Sequence, residues 1–259
     1  MKTNNLHYEF TGETLQYYEA FTLNRIRATK DLPLHNVRKG DLGGWVEKEE
    51  NLQENAWVRD EAKVFGDAKV YDDAEIYGNA EVFGNAEVFG NAKVFGNVWV
   101  LKNAKVYDDA KVFGNACVLG NAEVFGNAWV FGSAKVSGST EVYEYAWVSG
   151  NALFLGSPKV FGNAWVFGNT KVLENARISE NAQIESNNDF CTFSNFGREN
   201  RTTTFFKTKN SEIFVNCGCF KRSLQEFIEK VKETHKDNKF AKEYLAIVEV
   251  VKIKFNIFN

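Results

Sequence analysis

The sequence predicts an all-β solenoid, a parallel β-helix of 18 residues per coil, with a β-rich cap before the repeat and a small α+β unit after it. Three observations predict it. A six-residue period runs without insertion from Leu52 to the hexad that opens at Ile184, 23 hexads in all. Each hexad position keeps its own chemistry, as in VFGDAK, VYDDAE and IYGNAE from Val64 onward. The composition, with 23 Phe against 2 Pro and 1 Met, is that of a strand-rich chain.

In chain order, residues 1–51 form the first unit. Stretches such as YEFTGETLQYY and FTLNRIRATK alternate strand-forming residues with turns, as a cap that hides the first open coil should. Its cations Arg25, Arg27, Lys30, Arg38 and Lys39 read either as solvated charge or as an anion site. The opening MKTNNLHYEF lacks the basic start, apolar core and cleavage site of a signal peptide, and no stretch is long enough to span a membrane. A cytoplasmic location is therefore expected, where the four cysteines stay reduced. Cys217 and Cys219 have neither redox nor zinc-knuckle spacing and read as structural.

Residues 52–189 form the solenoid. Position one is nearly always Val, β-branched and inward, and position five is nearly always Ala, small enough for an interior corner. Position four is mostly Asn, Asp or Ser, which tolerate left-handed backbone, so Gly-Asn at positions three and four reads as a turn. Positions six and two flank the inward Val and point outward. A turn every six residues gives three segments per coil, and at about 4.8 Å per rung the coils stack to roughly 37 Å.

The repeated V-F-G-N-A-E resembles the hexapeptide motif of the left-handed β-helix superfamily, and this resemblance, which covers about half the chain, implies left-handed coiling. RIRATKD followed by VRKGDLGGWVE resembles the leader of phage and prophage β-helix proteins, and FGRENRTTTFFKTK with CGCF resembles a tail module of such proteins. Superfamily members include acyltransferases, which need a catalytic His, and carbonic anhydrases, which hold zinc with three His. Here His7, His35 and His235 all lie outside the repeat, and no loop interrupts it. Neither activity is expected, and neither a metal nor a cofactor. The flat Thr-rich face of an ice-binding helix is also missing.

Residues 18 apart stack, so the outer faces can be read directly. One carries Tyr71, Phe89, Tyr107, Phe125, Tyr143 and Phe161 beside a column of mixed charge from Lys69 to Arg177, self-consistent and structural. A second stacks Trp129, Trp147 and Trp165, with Trp57 above them, next to Phe95, Phe113, Phe131 and Phe167. The third carries Phe65, Phe83, Leu101, Leu119, Leu155 and Leu173 with Trp99 and Leu153 alongside. Apolar surface of this extent implies self-association, with a trimer favoured by the superfamily's habit, or a platform on which Trp129, Trp147, Trp165, Phe131 and Phe167 stack a base, a sugar or a partner side chain.

Residues 190–259 form the tail, read as ββαα: a hairpin around Lys209-Asn210-Ser211, a helix opened by the capping box Ser223-Leu224-Gln225-Glu226, and a second helix ending near Phe255. Arg198, Arg201, Thr202, Thr203, Thr204 and Lys207 group cations and hydroxyls suited to phosphate, with His235 and Cys217 as neighbours. An ordinary polar cap has the same composition.

Function is expected to be non-enzymatic: an oligomeric scaffold, phage-encoded as the resemblance implies, that sequesters a nucleotide-type signal or a host defence protein in the host cytoplasm. The alternatives are a purely structural, polymer-forming protein and an enzyme with its site in the tail. The net charge of -3 gives no reason to expect a nucleic-acid or membrane partner.

Overall fold

A computed structural model describes residues 6–257. The hexads wind into a parallel β-solenoid of about eight turns with 18 residues per coil. Its three faces are parallel sheets in which each strand pairs with the strand one coil away, as Val94 does with Val112 and Phe95 with Phe113. Rungs are joined by backbone bonds such as Lys93 N–H to Ala110 O, 3.0 Å. Position-one Val and position-five Ala fill the interior, and Val94, Val112, Ala92 and Ala110 have no exposure at all. Each fully buried Val stabilises the coil by about 1.5–3 kcal/mol.

The corners differ from expectation in one respect. Left-handed backbone falls at position three, not four: Gly66, Gly78 and Gly90 have φ near +70°, and Asp60, Asp72, Asp108 and Glu144 adopt the same region. Gly serves because the next coil lies close, so that a Cβ on Gly90 would sit 2.8 Å from the backbone nitrogen of Asp108. Where an acid takes the position, its carboxylate accepts the glycine N–H one coil on, as Asp72 does from Gly90 at 3.0 Å. Position-four Asn side chains bond each other between coils instead of their own backbone, and Asn79, Asn97 and Asn115 form such a ladder at 3.0 and 3.1 Å.

The N-terminal cap is a hairpin of β1 (Tyr8–Tyr17) and β2 (Phe21–Ala28) that continues through β3 (Leu42–Val46) into the third face, making one sheet of ten strands. Tyr17 and Phe21 lie over Phe65, with ring centroids 5.5 and 4.9 Å away, and bury it. Trp57 is likewise buried, beside the His7 ring, so neither residue belongs to an open outer column. The cap's cations are dispersed rather than gathered: Arg25 pairs with Glu61 at 3.1 Å and Arg27 with Glu9 at 3.8 Å.

A parallel coil ends with carbonyls that no earlier rung bonds. In the ladder, the carbonyl of a position-five Ala accepts from the preceding coil, as Ala74 does from Trp57 N–H. Among the described residues no backbone N–H serves Ala56 O, and the His7 imidazole Nε2–H donates to it at 2.7 Å. His35 Nε2–H serves Asn55 O at 2.8 Å, and the Asn51 amide serves Gly66 O and Ala68 O at 3.0 and 2.7 Å. Two of the three histidines thus finish the solenoid.

The tail packs on the last coil. It has four antiparallel strands where two were expected, in the order Phe190–Phe196, Arg201–Lys207, Ile213–Cys217, Phe220–Ser223. Helices α1 (Leu224–His235) and α2 (Lys239–Lys254) follow, and α1 opens with the expected capping box of Ser223 and Glu226. Phe205, Val215, Phe227, Ile247 and Val251 form the tail's own core. No helix among the described residues is long and apolar enough to cross a membrane.

Candidate functional site

Two places gather the residues singled out from sequence. On the second face, position-two and position-six rings stack from coil to coil because the rungs repeat at ring-stacking distance. Trp129 and Trp147 lie 5.0 Å apart and 4° from parallel, and Phe113 and Phe131 do the same at 4.9 Å. Trp165 turns edge-on to Trp147, and Phe167 tilts against Trp165. Where they stack, as Trp129 does on Trp147 and Phe113 on Phe131, the rings spend their faces on one another and present edges to solvent. The exposed apolar surface is narrower than the columns suggest: Trp147, Trp165 and, on the third face, Trp99, Leu155 and Leu173 are exposed, while Phe131 and Phe167 are half-buried. Phe161, at the foot of the first face, is buried under Arg177 and Lys221 of the tail junction. Elsewhere on that face the expected ion pairs form, Lys105 with Glu87 at 3.4 Å and Lys159 with Glu141 at 2.7 Å.

The second place is a cavity of about 450 Å³ in the tail, between the open end of the four-stranded sheet and the two helices. Arg198, Arg201 and His235 all line it, brought together from the turn after the first tail strand, the start of the second, and the end of α1. Lys221, Arg222 and Lys230 add positive charge to its rim. Its wall is aromatic. Phe227 meets Tyr244 edge-on at 5.6 Å, and the His235 ring lies over Tyr244 at 5.8 Å, 29° from parallel.

Two glycines make room for side chains that line the cavity. Gly197, at φ +70°, leaves the space that the Tyr244 hydroxyl fills, and its N–H donates to Glu243 at 3.1 Å. Gly218, at φ +63°, leaves the space taken by the Arg201 guanidinium. Cys217 sits between them, accepting from the Thr203 hydroxyl at 3.2 Å with its sulfur 3.8 Å from the Tyr244 hydroxyl. Burial pushes the Tyr244 phenol above its ordinary range, and Arg201 nearby opposes that shift. Burial also raises Cys117, and lifts Cys191 to about 11, so that both stay protonated thiols. Cys217 and Cys219, read from sequence as structural, line the cavity.

The remaining predicted residues lie elsewhere. Thr203 is fully buried and reaches the cavity only through Cys217. Thr204 faces the solenoid, where its hydroxyl accepts Arg177 N–H at 2.9 Å. Lys207 pairs with Asp189 at 2.9 Å, away from the cavity. Sequence reasoning missed Tyr244, which lies in no motif, and gave no role to Gly197, Gly218 and Phe220, which lie in FGREN and CGCF but meet Tyr244 only through the fold. Among the described residues no group of three or more His, Cys, Asp or Glu is placed to hold a metal ion. No family model and no curated protein matches this chain.

Proposed function

We propose that the chain is a non-enzymatic β-solenoid scaffold that captures a nucleotide-type small molecule in its tail cavity, acting in the cytoplasm. The observation that carries this reading is the convergence of Arg198, Arg201 and His235 on one aromatic-walled cavity. Guanidinium groups match phosphate geometry, and a ring wall suits a heterocyclic base. In its finer form, drawn from the resemblance of the leader and tail, the protein is phage-encoded and withdraws a host nucleotide signal or holds a host defence protein. Calorimetric titration with a panel of nucleotides tests it. Micromolar binding lost on Arg198→Ala plus Arg201→Ala supports the reading, and a panel without binding removes it.

The exposed rings of Trp147 and Trp165 favour a second, compatible element, self-association of solenoids side by side, with a trimer as the proposed state. Sedimentation of the Trp147→Ser, Trp165→Ser chain would show a smaller species than the parent, whereas an unchanged mass excludes this face from the contact.

A further inference from the structure

The cavity's charges are not equivalent, and the difference points to the shape of its occupant. Arg198 pairs with Glu199 at 3.8 Å, Arg222 with Glu226 at 3.5 Å and Lys230 with Glu233 at 2.8 Å. Lys221 rests its ammonium over the ring of Phe161, 4.4 Å from the centroid. Arg201 is the exception: among the described residues no carboxylate pairs with it, and its guanidinium lies against Gly218 beside Cys217 and Tyr244. Three of the five cations are therefore matched by carboxylates of their own and a fourth is turned toward an aromatic ring. One unmatched guanidinium faces an aromatic wall.

We infer that the cavity takes a ligand with one compact oxyanion beside a flat ring, a nucleoside monophosphate in class, and that Arg201, seated over Gly218, reads the anion. This rests on the nucleotide reading proposed above and narrows it. A polyphosphate would bring three or four negative charges to a rim where the exposed carboxylates of Glu199, Glu226 and Glu233 stand beside the cations and oppose added negative charge. A single phosphate or carboxylate meets one planar fork with two parallel N–H donors, the strongest neutralisation available to it here. The volume, about 450 Å³, lies toward the small end of the roughly 300–1,000 Å³ that small-ligand pockets span. The ring would lie along Phe220, Phe227 and the His235–Tyr244 pair, which supply the apolar part of the lining. Gly218 is a positioning residue in this scheme: any side chain there enters the space of the Arg201 guanidinium.

The test uses the full chain and four probes: adenosine 5′-monophosphate, adenosine, inorganic phosphate and adenosine 5′-triphosphate, titrated calorimetrically at one salt concentration. The monophosphate is expected to bind at least about tenfold more tightly than adenosine or phosphate alone, and within about threefold of the triphosphate. Arg201→Ala should weaken the monophosphate about tenfold or more while leaving adenosine unchanged, and Arg201→Lys should recover only part of the loss. Gly218→Ala, with its fold checked by circular dichroism and melting, should behave like Arg201→Ala although no charge is removed. Triphosphate binding ten or more times tighter than monophosphate binding, or monophosphate binding indifferent to Arg201, overturns this inference and leaves the nucleotide reading standing. No binding by any probe, nor by the guanosine, cytidine and uridine counterparts, overturns both.

Discussion

Thr204 and Asn216 face each other across neighbouring strands of the tail sheet, and together they hold one residue of the last coil. The Thr204 hydroxyl oxygen accepts the N–H of Arg177 at 2.9 Å, and the Asn216 amide donates to the carbonyl of Arg177 at 2.8 Å. Within the solenoid both groups of a position-six residue would be met by the following coil. Here two side chains stand in for the missing rung, and both are fully buried. Replacing either should strand a backbone group, at a cost of about 1–3 kcal/mol. Chemical denaturation of Thr204→Val, Asn216→Leu and the double variant should show losses that do not add, since both act on one residue.

The opposite end predicts a pH dependence. Burial lowers the pKa of both His7 and His35 below the ordinary 6.5, with Lys30 adding to the effect on His7, and Glu75 and Asp73 opposing it at His35. In the unfolded chain both take up a proton at higher pH than in the fold, so stability falls as the pH drops through and below about 6.5. Urea midpoints at pH 7.5 and pH 5.5 should differ in that direction. His7→Gln, which keeps an N–H for Ala56 but does not titrate, should reduce the difference.

Gly90 combines φ +70° with a backbone nitrogen 2.8 Å from where its Cβ would lie. Gly90→Ala should cost about 1 kcal/mol or more from the left-handed backbone alone, before the contact with Asp108 is relieved. A surface change one coil away, at the exposed Lys69, Lys69→Gln, should stay within about 0.5 kcal/mol. Thermal unfolding of the two variants separates them.

Phe154 occupies position one, where most coils carry Val, and is fully buried. Phe154→Ala should leave a cavity inside the coil and lower stability by about 3–5 kcal/mol. Phe154→Val, the residue of the neighbouring rungs, should cost less. Hydrogen exchange would place the loss in the coils around 136–172.

The solenoid was legible because nearly every hexad repeats the same decision, an aliphatic residue, mostly Val, inward and Ala at the corner, and one residue out of register would expose the whole column. The glycine of position three was less legible, since Gly-Asn marks a turn without saying which residue carries the positive φ. In the tail, Phe190–Phe196 and Phe220–Ser223 escaped notice because FCTFSNF and FKRS are short and mix polar with aromatic residues. Arg198, Arg201 and His235 were visible as chemistry. Their neighbour Tyr244 was not, because on a helix with Ile247, Val248 and Val251 it reads only as core. Thr203 and Thr204 show the reverse error: hydroxyls in a row suggested phosphate, yet alternate residues of a strand face opposite sides, and both sides here are buried.

The uninterrupted register of Val94 with Val112 has a consequence for the spacing of the two ends. Removing residues 93–110 would join Ala92 to Lys111, a junction already present in the chain as Ala92-Lys93. The tail cavity would move about 4.8 Å toward the N-terminal hairpin with its bearing unchanged. Removing six residues instead would swing it by a third of a revolution onto another face. Length and azimuth are therefore separate settings in this architecture, and hexad number modulo three decides which side of the rod the cavity looks out from.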